Sequence, residues 1–134
     1  AVIEAALTGH PVYTTLHSNG VAETVRRLVG AFPKEERTAR TIDIIETMRV
    51  IISQRLVPST DGRRVALREF LVFNEEIRDK ILECDPDNIT AVTRKFLREY
   101  GQTLTADIKK KYSEGLLSDR LYKILMARSK DESA

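Results

Sequence analysis

Both histidines of the chain, His10 and His17, lie in one stretch, TGHPVYTTLHSNG at residues 8–20. Imidazole can ligate a metal, move a proton, or donate to an anionic oxygen. The apolar and hydroxyl run between them, PVYTTL, is short, β-rich and bounded by turn formers, so the pattern predicts a strand. If residues 10–17 are extended, the histidines stand about 23 Å apart at ~3.3 Å per step. Their odd separation sends them to opposite faces. Two such ligands cannot share one ion, and a metal site is not expected. His17 is the stronger candidate, because it closes the strand beside Thr14, Thr15, Ser18 and Asn19. Ligands of open α/β sheets bind outside the carboxyl ends of strands. The same position also suits a loop histidine satisfied by neighbouring backbone, and residue type alone favours that plainer role.

Other chemistry is thinly represented. None of the six glycines is followed by lysine, and no pair fits G-x-x-x-x-G-K-[ST], so no nucleotide-binding residues are assigned within these residues. FLVFNEE ends an apolar run in two carboxylates, yet Glu75 and Glu76 suit the first turn of a helix, where the macrodipole favours acids. The lone Cys84 has no histidine nearby in sequence and reads as a structural or surface thiol. Being single, it also points to a reducing compartment. The basic groups Arg94, Lys95 and Arg98, and Lys109 to Lys111, fall on polar helix faces without interleaved aromatics. Solvated faces explain them, and no direct nucleic-acid partner is expected.

The elements that must position these residues follow from periodicity. At 134 residues the chain suits one domain with a real core. A net charge of +2 argues for no polyanion, and no apolar run has the length of a membrane span. The opening AVIEAALTG reads as helix stopped by Gly9, without a starting methionine or cap, as though the chain enters mid-element. Asn19 is placed to cap a helix with Val21, Val25, Leu28 and Val29 on its apolar face. FPKEER breaks it. A second helix is predicted over residues 38–53, with Ile42, Ile45, Met48 and Ile52 as its stripe. RLVPSTDGRRVALREFLVF reads as a hairpin, with a short strand at Leu56 and Val57 and a longer one over residues 65–73. Helices follow around Ile77 and Ile81, then Ile89 to Tyr100, then Leu104 to Tyr112 closed by Gly115, then Leu121 to Leu125 behind a Ser118 cap. The tail RSKDESA reads as frayed. A lone strand and a hairpin make a poor sheet, which suggests that further strands lie upstream.

The order of motifs carries a resemblance. ALTGHPVYTTLHSNG closely resembles the histidine box of the secretion ATPase superfamily, which comprises type II and type IV secretion ATPases and type IV pilus motors. TVRRLVGAFP, IISQRLV, GRRVALREFLV, EEIRDKILE and QTLTADIKKKYSEGLLS resemble the segments that follow the box, in register. The chain looks most similar to pilus retraction motors and to Dot/Icm or conjugative type IV secretion ATPases. Glu76, Asp79, Lys80 and Leu82 depart from the retraction-motor pattern, which turns the expectation toward secretion or conjugation.

The resemblance implies an α/β fold: residues 1–73 as the C-terminal part of a RecA-like P-loop ATPase core, and residues 74–134 as a small helical subdomain. It implies a homohexamer that hydrolyses ATP with Mg²⁺, both held mainly by residues upstream of Ala1. It implies a cytoplasmic protein peripheral at the inner membrane, partnered by a secretion or pilus platform. His17 and His10 become catalytic candidates, and Arg27 and Arg78 candidates for coupling or interface roles. These residues alone, lacking a phosphate loop, should be inactive. The alternative is a non-catalytic helical module that docks an oligomer or membrane complex.

Overall fold

The computed structural model describes residues 6–16 and 18–133, with side chains described to residue 129. Six α-helices and one antiparallel hairpin are formed among the described residues. Helix α1 spans Val21–Gly30 and buries Val21, Ala22 and Val25. A 3₁₀ turn at Lys34–Glu36 leads into α2, Arg37–Thr47, which buries Thr41, Ile44 and Ile45. Strand β1, Val50–Pro58, pairs with β2, Arg64–Val72, in a register running from Val50 opposite Val72 to Pro58 opposite Arg64. Between them Gly62 takes φ +83°, a left-handed conformation that costs a Cβ-bearing residue strain.

The remaining helices are α3, Glu75–Glu83; α4, Ile89–Tyr100, entered through a 3₁₀ turn at Pro86–Asn88; α5, Leu104–Ser113; and α6, Asp119–Ser133. Their starts are written locally. Asn74 accepts from Ile77 N at 2.8 Å, Thr103 from Ala106 N at 3.1 Å, and Ser118 from Leu121 N at 3.2 Å. Each is a side-chain cap of ordinary kind.

Three expectations are corrected. The helix over residues 38–53 ends at Thr47, and Met48 is already extended. Val50, Ile51 and Ile52 belong to β1, so Ile51 is buried while Ile52 is exposed. A β-branched run satisfies either period when isolated, and pairing with Phe70, Leu71 and Val72 decides for the strand. Secondly, residues 11–16 join no ladder, and Tyr13 is 95% exposed. β-propensity supplies no partner for main-chain groups, and both strands here are paired to each other. The parity argument against a shared metal lapses with that strand. Thirdly, α6 continues through the polar tail to Ser133, because Leu125 and Ser129, four apart, are both buried. At the other end, Gly9 takes φ +91° as a helix stop should, and the first five residues lie outside the described set.

Helices cover one face of the hairpin. Two apolar clusters lie beneath it. The first joins Val21, Val25, Ile45, Ile51, Leu71 and Phe73 to Ile77, Ile81, Ile89, Phe96 and Leu97. The second joins Leu67 to Leu104, Ile108, Leu117 and Leu125. On the opposite face Val50, Ile52, Leu56 and Val72 remain between 46% and 60% exposed.

Candidate functional site

His17 lies outside the described residues, but the turn after it is well defined. The Ser18 and Thr24 hydroxyls are 2.5 Å apart, and Thr24 Oγ1 donates to the Gly20 carbonyl at 2.8 Å. Asn19 does not cap α1. Gly20 holds the N-cap position without a side-chain bond of its own, and the Asn19 carbonyl accepts from Arg55 Nη2 at 3.3 Å. The cap comes from across the molecule: Val21 N donates to Glu69 Oε1 at 2.9 Å. The other oxygen of the same carboxylate accepts from Leu104 N at 3.2 Å, at the start of α5. Helix N-termini carry orphan donors and partial positive charge, and one carboxylate answers two of them. A cleft of about 310 Å³ opens beside it, lined by Asn19, Gly20, Glu23, Glu69, Arg94 and Arg98 among others.

Among the described residues, His10, Arg27 and Arg78 do not converge. His10 is exposed and shares a 3.0 Å hydrogen bond between its Nδ1 and Thr8 Oγ1. It lines a cleft with Met48, Arg49, Val50 and Ile52. Arg27 is exposed and borders another cleft with Ser18, Asn19 and Gln54, which puts it on the side of the turn. Arg78 is at neither place. It is half-buried, and its Nη1 donates to the Phe73 carbonyl at 2.5 Å and the Met48 carbonyl at 3.4 Å. Ile77 and Ile81 of the same helix pack inward.

The acidic pair behaves as first-turn residues of α3, and Glu76 bonds Lys80 at 3.0 Å. That hydrogen bond and the accompanying charge attraction raise the Lys80 ammonium above its ordinary range. Burial pushes the Cys84 thiol up, away from the thiolate a nucleophile needs. Lys111 is drawn to buried Asp107 at 3.4 Å, whose Oδ2 accepts from Arg68 N at 2.8 Å. Among the described residues no three His, Cys, Asp or Glu side chains gather as a metal site. Nor do these residues fit a nucleotide phosphate or its Mg²⁺ unaided. The α1 N-terminus, the natural anion cradle, already spends Val21 N on Glu69.

Sequence reasoning missed Glu69 and Asp107. A signal for Glu69 existed. In VALREFLV it shares strand parity with Leu67 and Leu71, so the period of two points it to the core side.

The chain belongs to the Type II/IV secretion system protein family, which it matches over residues 1–126. It is 34% identical to the twitching motility protein of Neisseria gonorrhoeae over 117 residues, covering 87% of this chain and 31% of that protein. It is 33% identical to the type IV pilus retraction ATPase PilT of Pseudomonas aeruginosa, covering 87% of this chain and 34% of that protein. The X-ray structure of the Legionella pneumophila ATPase DotB superposes with TM-score 0.91 at 61% identity, covering 93% of this chain and 34% of that one. The pilus retraction motor PilT with bound ADP superposes with TM-score 0.78 at 32% identity, covering 92% of this chain and 34% of that one. The chain therefore spans about a third of the length of these relatives. The resemblance drawn from the histidine box and its following motifs leads to this same family. No helix among the described residues is long and apolar enough to cross a membrane.

Proposed function

We propose that this chain is the C-terminal part of an ATPase that powers type IV secretion, conjugation or pilus dynamics. The observation that carries the reading is 61% identity with TM-score 0.91 to the Legionella ATPase DotB across 93% of the chain. Residues 1–73 are read as the end of a RecA-like P-loop core and residues 74–134 as a helical subdomain packed on it. The uncovered apolar face of the hairpin supports a core that continues beyond these residues, because such patches are normally covered. The working form is a cytoplasmic homohexamer at the inner membrane, engaging a secretion or pilus platform. ATP and Mg²⁺ would be held mainly by residues upstream. His17 and His10 are read as catalytic and Arg27 and Arg78 as coupling residues.

The test is made on the full-length parent. Wild type should hydrolyse ATP, and His17→Ala should lower turnover roughly a hundredfold while leaving nucleotide affinity nearly unchanged, the size expected for one charge-assisted hydrogen bond in a transition state. Residues 1–134 alone should bind ATP weakly and hydrolyse none. Turnover indifferent to His17 would leave His17 a turn residue only, whereas a wild-type parent without ATP turnover would return the chain to the reading of a docking module.

A further inference from the structure

Glu69 occupies an unusual place. It stands on β2 between Leu67, a member of one apolar cluster, and Leu71, a member of the other. Its two oxygens do different work: Oε1 accepts from Val21 N at 2.9 Å, and Oε2 accepts from Leu104 N at 3.2 Å. Val21 opens the helix that begins four residues after His17, and Leu104 opens α5 in the helical part.

The surroundings hold that carboxylate closely. A Cβ added to Gly20 would lie 2.8 Å from Glu69 Oε1, so a side chain there would have to displace the carboxylate from its present position. Behind it, Phe70 and Gln102 exchange main-chain hydrogen bonds of 3.0 and 2.9 Å, and Gln102 Nε2 donates to the Arg68 carbonyl at 2.8 Å. Asp107, one turn into α5, fastens Arg68 N at 2.8 Å. The first turn of α5 is therefore tied to β2 on both sides of Glu69, and the N-terminus of α1, whose Val21 and Val25 pack in the first apolar cluster, is capped by the carboxylate itself.

We propose that Glu69 is a positioning residue which links the helical part to the turn of residues 18–20 that follows His17 in sequence, by capping α1 and α5 with one carboxylate. Displacement of α5 relative to β2 is then felt at Val21 and hence at the turn of residues 18–20. The role in turnover rests on the ATPase reading above, whereas the link itself does not.

Glu69→Gln separates the two caps without removing volume. An amide oxygen accepts from one main-chain N–H, but the NH₂ group opposes the other. In the full-length protein, hydrogen exchange should rise about tenfold or more at the Val21 or Leu104 amide, a charged acceptor having been lost. Amides of the hairpin over residues 55–66 should be unchanged. Thr103→Ala, which removes the local cap of α5, should also raise exchange at Val21 in the wild-type background and fail to do so in the Glu69→Gln background. Turnover of Glu69→Gln should fall at least ~10-fold with KM within about twofold, as for loss of an interaction that matters only in the transition state. If Thr103→Ala leaves Val21 unaffected in the wild-type background, the link is overturned. Should Glu69→Gln loosen the hairpin as well, Thr103→Ala alone decides by that same readout. If exchange responds as stated but turnover does not, the positioning role is overturned. A wild-type parent without ATP turnover refutes the ATPase reading instead, and the exchange results still decide the link.

Discussion

Arg78 in α3 reaches back over the end of β2 and donates to the carbonyl of Phe73 at 2.5 Å. The same nitrogen lies 3.4 Å from the Met48 carbonyl, where α2 gives way to the strand. One guanidinium thus pins both ends of the link between hairpin and helices. Arg78→Ala leaves the Phe73 carbonyl short of that charged donor, while the Met48 carbonyl keeps Arg49 Nη1 at 3.2 Å, and we expect a loss of about 1–3 kcal/mol. Denaturant unfolding of the purified full-length protein measures it. A change within ~0.5 kcal/mol, the usual range for surface positions, would show that water replaces the guanidinium freely.

Gly101 is the second position where one atom decides. A Cβ there would lie 2.6 Å from the Phe70 carbonyl oxygen and 3.0 Å from Leu97 Cδ1. Phe70 and Gln102 are held together by two main-chain bonds, so the backbone cannot move aside cheaply. Gly101→Ala should destabilise by about 1–3 kcal/mol, as overpacking does. The bridge should open with it, seen as faster exchange at the Phe70 amide. An unchanged melting temperature would contradict this.

The hairpin turn should respond to acid. The Asp61 carboxyl is held below the usual carboxylate range, first by the Ser59 hydroxyl and then by Arg63 N–H at 2.9 Å. A lowered folded value means the contribution is complete above the ordinary pKa near ~4 and is lost as pH falls through the folded value. Amide exchange at Arg63 should therefore rise below about pH 4, and Asp61→Asn should abolish that pH dependence. A flat profile in wild type would refute the assignment.

Cys84 should be slow to react. It packs against the first apolar cluster, and burial raises its pKa. At neutral pH its alkylation by iodoacetamide should run at least ~10-fold below that of an unfolded control, since the thiolate is the reactive form. Equal rates would show that the thiol is effectively open to solvent.

Much of this molecule was determined by local sequence. The caps Asn74, Thr103 and Ser118 sit where short polar side chains precede apolar periodicity, and each of these side-chain bonds requires only residues within one turn. The STDG turn and its strands follow from glycine and β-branched residues, and the family follows from motif order. Tertiary structure decided the rest. Residues 50–52 suit a helix stripe or a strand equally until Phe70, Leu71 and Val72 pair with them. Residues 11–16 have strand composition and no partner strand among the described residues. Asn19 looks like a cap, yet the capping carboxylate belongs to Glu69, 48 positions from Val21. A helix N-terminus needs an acceptor but does not specify where along the chain it comes from, and only the packing of β2 against α1 and α5 supplied it.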